Sequence, residues 1–330
     1  MEVLVQPLQR TIQVEPGANL LDALRAAQIP MSYSCMAGRC GTCRCKLLDG
    51  EVLEGGAQGA GQPGAHGRDA YVLACQTFLT EPCTIEIPEP DEVVVHPARI
   101  VKATVERVEP LTHDILRLVL RPAKPIVFSP GQYVQLQFTP EHIRPYSMAG
   151  LCEDGSFEFH VRLVPDGRVT HYVANTLKVG DAVRVSGPLG SAYLRRKHEG
   201  PMLCVAGGTG LAPILSILRG AVQGGMTNPV HLYFGVRSPH DVYGLDALAQ
   251  LQAVHPALRV QVVVASGADP AVHRSGLVTQ AMEQDLGELS GWRGYLCGSP
   301  PMVEAATRVV RQKGMAAEHV YADAFYPQGH

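Results

Sequence analysis

Three closely spaced cysteines restrict this chain more than any other feature. Cys35, Cys40 and Cys43 form a C-x4-C-x2-C pattern, which is the loop spacing of a 2Fe-2S cluster. That pattern needs a fourth, distant thiolate, and Cys75 supplies one on a separate apolar segment. Small residues let the loop backbone approach the sulfur atoms, because they lack side-chain bulk; these are Ala37, Gly38 and Gly41. The sequence therefore predicts a cluster held by four cysteines.

Two other uses of these cysteines compete with a cluster. Nine cysteines are an odd number and no signal peptide starts the chain, which argues against a disulfide framework. Zinc is the more serious alternative, because Cys40 and Cys43 form a C-x2-C pair, although structural zinc sites usually gather two such pairs. Cys45 is either a rival ligand or, as we expect, a packed strand thiol. This segment resembles the plant-type ferredoxins.

Length and composition limit the class of protein. A chain of 330 residues suggests two or three domains. A net charge of −3 gives no electrostatic case for nucleic acid. The uncharged run at 200–218 approaches membrane-spanning length, but its glycines and Pro213 favour a buried strand that turns into a helix. We therefore expect a cytoplasmic protein with no membrane segment.

Residues 1–92 predict a small β-grasp domain. Residues 1–6 and 11–15 alternate like a strand hairpin, and Asn19 is a typical helix N-cap before an apolar helical stretch. Residues 46–53 suggest a second hairpin, 55–67 a glycine-rich surface loop, and 84–88 the strand that closes the sheet. A stiff, charged linker follows at 88–97.

Residues 98–197 predict an antiparallel β-barrel. Strand signals recur at 99–108, 115–120, 133–138, 157–163 and 182–186, with turns at 129–132 and 187–190 and one short helix at 169–175. The barrel also contains the sequence R-P-Y-S at 144–147. Arg144 offers hydrogen-bond donors for a phosphate, and Pro145 fixes the backbone. Tyr146 offers a ring for stacking and Ser147 a small hydroxyl. Further on, Gly167, Arg168, Val169 and Thr170 open the helix, where free N–H groups suit a pyrophosphate.

Residues 198–330 alternate strands and helices, which predicts a parallel α/β sheet. Strands are expected at 202–206, 231–236, 259–265, 294–296 and 319–322, and helices at 211–221, 245–253, 277–285 and 301–313. Two glycine turns follow strands, where open α/β sheets bind dinucleotides. The first is Gly207, Gly208, Thr209 and Gly210, followed by Pro213, and the second is Cys297 and Gly298. The simpler explanation for the first turn is a plain tight turn, and for Cys297 it is a thiol packed in the core.

The last two domains resemble the ferredoxin–NADP reductase superfamily, through R-P-Y-S, G-G-T-G-L-A-P and C-G-S-P. The resemblance implies that Tyr146 stacks on the flavin of FAD, that Ser147 bonds near its reactive nitrogen, and that Arg144 holds the pyrophosphate. It places His160, Val161 and Arg162 along the edge of the flavin, and Phe325 over its face. It also places the first glycine turn at the NADH site and Cys297 beside the path of the hydride. Gly235 and Arg237 would lie near the adenosine ribose. Asp166 replaces a usual glycine, so we expect it to point outward.

The cofactor and the partner follow from the same resemblance. After the third predicted strand, residues 265–268 lack the arginine that holds the phosphate of NADPH, and Arg274 lies farther on; we expect NADH, with NADPH as the alternative. Over the whole chain the order of domains is similar to the reductase components of bacterial aromatic-ring-hydroxylating dioxygenases, the naphthalene type above all.

That resemblance implies electron transfer from NADH through FAD and the cluster to a Rieske-type ferredoxin, a terminal oxygenase or both, by a monomeric protein. The alternatives are a reductase for a di-iron monooxygenase, a reductase for a deoxysugar dehydrase, and a redox sensor without turnover.

Overall fold

The computed structural model describes residues 1–29, 31, 38, 43–55, 62–63, 70–87, 94 and 96–326. The chain divides into two compact units, Met1–Val93 and Val94–His330. Among the helices of the described residues, none combines the length and the apolar character that a membrane span requires.

The first unit packs one helix, α1 (Leu20–Ala26), against a mixed sheet. Its strands are β1 (Glu2–Gln6), β2 (Arg10–Gln13), β3 (Arg44–Asp49), β4 (Val52–Glu54), β5 (Gln62–Pro63), β6 (Ala70–Leu73), β7 (Thr77–Leu79) and β8 (Cys83–Glu86). The main sheet has the order β2-β1-β8-β3-β6, with β1 antiparallel to β2 and parallel to β8. The Asn19 side chain accepts a hydrogen bond from the Asp22 N–H at 3.2 Å, so the predicted N-cap is confirmed.

One predicted pairing in this unit is wrong. The spacing at 46–53 predicts a hairpin, but β3 pairs with β6 and β8, whereas β4 pairs with β5 and β7 in a separate three-stranded sheet. Gly50, with a φ of +93°, stands between the two strands, in a backbone conformation that other residues rarely adopt. The last strand, β8, lies inside the main sheet, between β1 and β3. Most of the glycine-rich segment at 55–67 lies outside the described residues.

The second unit begins with a six-stranded antiparallel sheet. Its strands are β9 (Arg99–Pro110), β10 (Ile115–Pro122), β11 (Tyr133–Thr139), β12 (His142–Ser147), β13 (Phe157–Arg162) and β14 (Ala182–Leu189). They follow the order β12-β11-β14-β9-β10-β13, and a bridge between Met148 and Phe159 nearly closes the barrel. The helix α2 (Arg168–Asn175) follows β13. Residues 187–190 are not a simple turn as predicted, because β14 continues through Leu189.

The rest of this unit is a parallel sheet with helices on both faces. The strands are β15 (Met202–Gly207), β16 (Val230–Val236), β17 (Leu258–Val264), β18 (Arg274–Ser275), β19 (Arg293–Gly298) and β20 (Val320–Ala324). The helices are α3 (Leu211–Gln223), α4 (Leu245–Val254), α5 (Val278–Asp285) and α6 (Pro300–Gln312). The order β18-β17-β16-β15-β19-β20 changes direction between β15 and β19. This is the switch point at which open α/β sheets bind ligands.

Candidate functional site

Two of the four predicted cluster ligands lie among the described residues, and the fold brings them together. Cys43 precedes β3 and Cys75 follows β6; the two strands pair antiparallel, and both thiols are buried. The Cys75 N–H donates to the Cys43 Sγ at 3.4 Å, and the Ala74 N–H donates to the Cys43 carbonyl at 2.8 Å. Cys35 and Cys40 lie outside the described residues. Amide N–H groups that point at a ligand sulfur tune a cluster's potential, so this donor set fits a 2Fe-2S cluster.

Around Cys75 the backbone and one amide side chain are held in place. The Gln76 Nε2 lies 3.6 Å from the Cys75 Sγ, and the Asn19 Nδ2 donates to the Cys75 carbonyl at 3.1 Å. Gly38 has a φ of +74°, and a Cβ there would lie 2.7 Å from the Gln76 Cγ. Gly38 therefore approaches Gln76 at a point where only glycine fits. Cys45, the rival ligand, packs into the core of the first unit.

The R-P-Y-S residues form most of β12, a strand that is absent from the expected set. Ser147 is buried, Arg144 and Tyr146 are partly exposed, and Pro145 is exposed. The Tyr146 ring meets Phe138 and Phe159 edge to face, with centroids 6.5 and 6.4 Å away. Burial raises the pKa of the Tyr146 phenol, so the ring is a neutral stacking surface. Tyr146 and Arg144 therefore lie on one edge strand. A neutral aromatic ring suits stacking on a flavin, and a guanidinium suits its phosphates.

A cleft of about 550 Å³ opens at the first turn of α2. Gly167, Arg168 and Thr170 line it, whereas the Val169 side chain packs into the barrel core. This helix start offers N–H groups to an anion, which suits the predicted pyrophosphate. Asp166 is exposed and has a φ of +59°. Glycine usually serves in this left-handed conformation, and aspartate is among the few residues that tolerate it.

The side chains of β13 alternate between two sides of the barrel wall. Val161 belongs to the barrel core. His160 and Arg162 reach the nucleotide-binding part: the His160 Nδ1 lies 2.9 Å from the Tyr243 hydroxyl. Arg162 pairs with Asp114, just before β10, at 2.8 Å and with Asp241 at 3.5 Å. The three residues predicted for the flavin edge therefore do not share one side-chain environment.

The two predicted glycine turns meet at the switch point of the parallel sheet. Gly207 ends β15, a 3-10 turn spans Gly208–Gly210, and α3 begins directly after it, with Pro213 buried in its first turn. A Cβ on Gly210 would lie only 2.1 Å from the Cys297 carbonyl oxygen. Gly298, with a φ of +147°, ends β19 beside Gly207. At Gly210 the two turns are packed so closely that only glycine fits. A glycine-rich turn directly before a helix is a typical backbone arrangement for a diphosphate.

Asp323 connects the barrel to this edge of the parallel sheet, and the sequence patterns did not predict it as a site residue. The Ser147 hydroxyl donates to Asp323 Oδ2 at 2.8 Å, and Asp323 lies on β20 directly beside Cys297 of β19. Burial raises the pKa of Asp323 to about 6 and that of the Cys297 thiol well above its ordinary value. Asp323 lies two residues before Phe325 in the sequence Y-A-D-A-F-Y-P at 321–327, and its position beside a predicted site residue was the one signal in the sequence. The next predicted residue, Phe325, donates its N–H to the Gly298 carbonyl at 2.8 Å.

Two arginines near the nucleotide edge are held by carboxylates. Arg237 pairs with Asp114 at 3.2 Å and with Asp241 at 3.5 Å. Arg274, on β18 beside the end of β17, pairs with Asp285 of α5. Arg274, the arginine that follows residues 265–268 in the sequence, therefore already has an acidic partner.

Asp323→Asn is expected to stabilise the protein and to slow flavin reduction. A carboxyl whose pKa is raised to about 6 favours the folded state when protonated, and that contribution is lost as the pH rises through 6. The amide carries no charge, so we expect a gain of about 1–3 kcal/mol at pH 8 that shrinks towards pH 5. Reduction by NADH should slow roughly tenfold or more, since an amide cannot exchange a proton. Thermal unfolding and stopped-flow reduction measure the two effects. An equal stability difference at pH 5 and pH 8 would contradict the raised pKa of Asp323.

Comparison with known proteins agrees with this architecture. Three protein-family models match: the 2Fe-2S iron-sulfur cluster binding domain at 3–80, the oxidoreductase FAD-binding domain at 102–193 and the oxidoreductase NAD-binding domain at 204–308. They define an iron–sulfur flavoprotein oxidoreductase and confirm the predicted fold class and cofactors.

The full-length relatives are more specific. The chain is 58% identical, over 100% of both chains, to the ferredoxin–NAD(P)+ reductase component of naphthalene 1,2-dioxygenase/salicylate 5-hydroxylase systems of Ralstonia sp.. It is 57% identical, again over 100% of both, to that of the naphthalene 1,2-dioxygenase system of Pseudomonas putida. An Amycolatopsis cytochrome P450 reductase has a similar structure, with a TM-score of 0.74, 34% identity and 99% of both chains covered. The chain belongs to the family of ferredoxin–NAD(P)+ reductase components represented by the naphthalene dioxygenase systems.

Proposed function

We propose that this protein takes electrons from NADH and delivers them to a Rieske-type ferredoxin, a terminal oxygenase or both, in an aromatic-ring dioxygenase system. The observation that carries the proposal is the end-to-end match, at 57–58% identity, to reductase components of naphthalene dioxygenase systems. A reductase of this kind holds no aromatic substrate, because the oxygenation takes place on its partner.

The proposed electron route explains why three cofactor domains share one chain. When bound, FAD accepts the two electrons of a hydride and the 2Fe-2S cluster passes single electrons onward. We assign Cys35, Cys40, Cys43 and Cys75 as the cluster ligands. The pair of Cys43 and Cys75, joined by an N–H to sulfur contact of 3.4 Å, supports this assignment.

Several of the remaining predicted site residues are assigned to the two nucleotide cofactors. We propose that β12 presents Tyr146 and Ser147 to the flavin, and that Arg144 and the start of α2 hold its phosphates. The glycine turns at 207–210 and 297–298 would position the nicotinamide dinucleotide. Asp323 would exchange a proton through the Ser147 hydroxyl, which donates to its Oδ2 across 2.8 Å.

We propose NADH rather than NADPH as the preferred reductant. Residues 265–268 provide no arginine for a 2′-phosphate, and Arg274 is paired with Asp285. A 2′-phosphate would compete with that carboxylate for the guanidinium. The ratio of kcat/KM for the two nucleotides tests this point, and a ratio in favour of NADPH would reverse it.

We also propose that the protein is a monomer in the cytoplasm. Its three domains would be residues 1–92, 98–197 and 198–330. The family-model spans at 3–80, 102–193 and 204–308 support the three-part division. Sedimentation at several protein concentrations measures the oligomeric state.

Two experiments test the electron route. Anaerobic titration with NADH should bleach the flavin absorbance and produce the paramagnetic signal of a reduced 2Fe-2S cluster. The reduced protein should then reduce a purified Rieske ferredoxin. Zinc in place of iron, or a protein that stays spectrally silent with NADH, would overturn the assignment. Reduction of a di-iron monooxygenase but of no Rieske protein would move it to that class of partner.

A further inference from the structure

A buried chain of polar side chains joins the outer face of the barrel to the nucleotide-binding turn. His160, on β13, is only 7% exposed. Its Nε2 lies 3.3 Å from Glu158 Oε1, and its Nδ1 lies 2.9 Å from the Tyr243 hydroxyl. Tyr243 precedes α4 and is 6% exposed. The imidazole therefore connects the barrel with the α/β part through both of its ring nitrogens.

Each end of this chain has a fixed partner. Arg117, on β10, donates to Glu158 Oε2. At the other end the Tyr243 hydroxyl lies 3.4 Å from the Gly208 carbonyl oxygen. The Tyr243 ring is wedged edge to face against His160 and Phe234, with centroid distances of 5.2 and 5.8 Å. The chain thus ends on a peptide group of the turn that carries the predicted dinucleotide site.

The hydrogen bonds of this chain of side chains allow two arrangements of protons. Burial would raise the pKa of Glu158, but hydrogen bonds from His160 and Arg117 outweigh it and bring the pKa to about 2, so this carboxylate only accepts and His160 Nε2 carries a proton. In the neutral imidazole Nδ1 is an acceptor, and the Tyr243 hydroxyl donates its one hydrogen bond to it. In the imidazolium Nδ1 is a donor to the Tyr243 oxygen, so the Tyr243 hydroxyl can donate its hydrogen bond to the Gly208 carbonyl instead.

We propose that Glu158, His160 and Tyr243 are proton-linked positioning residues for the glycine turn, and that dinucleotide binding is accompanied by proton uptake at His160. This rests on the proposed use of the turn as the NADH site. With the imidazolium formed, Tyr243 holds the Gly208 carbonyl, which fixes the peptide that follows Gly208. With neutral His160 that hydrogen bond is lost.

The charges around His160 agree with this direction of coupling. On its own strand lie Glu158 and Arg162, and β10 contributes Arg117 through Glu158. The segment before α4 contributes Tyr243 and Asp241, and Asp114, just before β10, pairs with Arg162 at 2.8 Å. The glycine turn, residues 207–210, carries no charged side chain. Arg162 reaches this turn, since its Nη1 would lie 3.0 Å from a Cβ on Gly208. A diphosphate bound there adds negative charge near His160, which favours the imidazolium.

Calorimetric titration of the FAD- and cluster-containing protein with NAD+ tests the proposal without turnover. Titrations in two buffers of different ionisation enthalpy give the number of protons exchanged. For the wild type we expect uptake of a fraction of one proton per NAD+. His160→Gln should abolish that uptake. Tyr243→Phe should weaken NAD+ binding about fivefold, the effect of one lost hydrogen bond.

Tyr295→Phe is the matched control, because it removes another buried tyrosine hydroxyl of the α/β part, one that lies on β19 and accepts from the Arg195 N–H. It should keep the wild-type affinity and proton uptake. Proton-neutral binding by the wild type, or undiminished uptake in His160→Gln, would overturn the inference. Failure of the wild type to bind NAD+ at all would instead count against the proposed function. If His160→Gln does not fold, the wild-type uptake and the Tyr243→Phe affinity still decide the question.

Discussion

Cys75→Ser is expected to cut electron delivery to a Rieske acceptor by at least about a hundredfold while NADH still reduces ferricyanide at close to the wild-type rate. A serine hydroxyl is a poor replacement for a thiolate, so the cluster would be lost or unstable. Residues Met1–Val93 form a compact unit apart from the flavin and nucleotide parts, so hydride transfer to the flavin should survive. Iron content, the visible spectrum and the two reductase assays measure these effects.

Cys83→Ser provides the matched control for this prediction. Cys83 is a thiol of the same unit, 5% exposed and packed in its core, and it lies outside the proposed ligand set. The variant should keep its iron and its electron delivery, with at most a modest loss of stability. If Cys75→Ser retained a normal cluster, or if Cys83→Ser lost it, the ligand assignment would be wrong.

The elements themselves were largely predictable from local patterns, because periodicity and capping residues are local signals. The exceptions have physical causes. The β3–β4 hairpin was wrong because the choice of strand partners is not local: β3 finds its neighbours in β6 and β8. The strand β12 was missed because it contains Pro145 and several polar residues. It lies at the edge of the barrel sheet, where a proline removes no needed hydrogen bond.

Side-chain partnerships in the candidate site were harder to predict than the motifs. Ser147 and Asp323 are 176 residues apart, and no spacing rule connects them. The outward position of His160 was available from the sequence, since F-E-F-H-V-R alternates and puts His160 on the face opposite Phe159. Its contact with Tyr243 depends on how the barrel meets the parallel sheet, which local patterns do not encode.

Gly210→Ala is expected to have the second large effect, on the nucleotide site. The backbone of Gly210 is helical, with a φ of −59° and a ψ of −14°, so alanine meets no dihedral penalty there. The conflict is steric, because the added Cβ would lie 2.1 Å from the carbonyl oxygen of Cys297 and 2.5 Å from its carbon. Both groups are backbone, so the two turns must separate. We expect a loss of roughly 2–3 kcal/mol in stability and a drop in NAD+ affinity of at least about tenfold.

Gly287→Ala distinguishes this clash from a general effect of replacing glycine. A Cβ at Gly287 would meet no atom within 4 Å, so stability should change by no more than about 0.5 kcal/mol and NAD+ binding should stay unchanged. Thermal unfolding and calorimetric titration with NAD+ measure both variants. The flavin spectrum of Gly210→Ala should remain that of the wild type, because the clash lies between β15 and β19 and not in the barrel. Wild-type NAD+ affinity in Gly210→Ala would show that the two turns tolerate separation and that their close contact does not set the dinucleotide site.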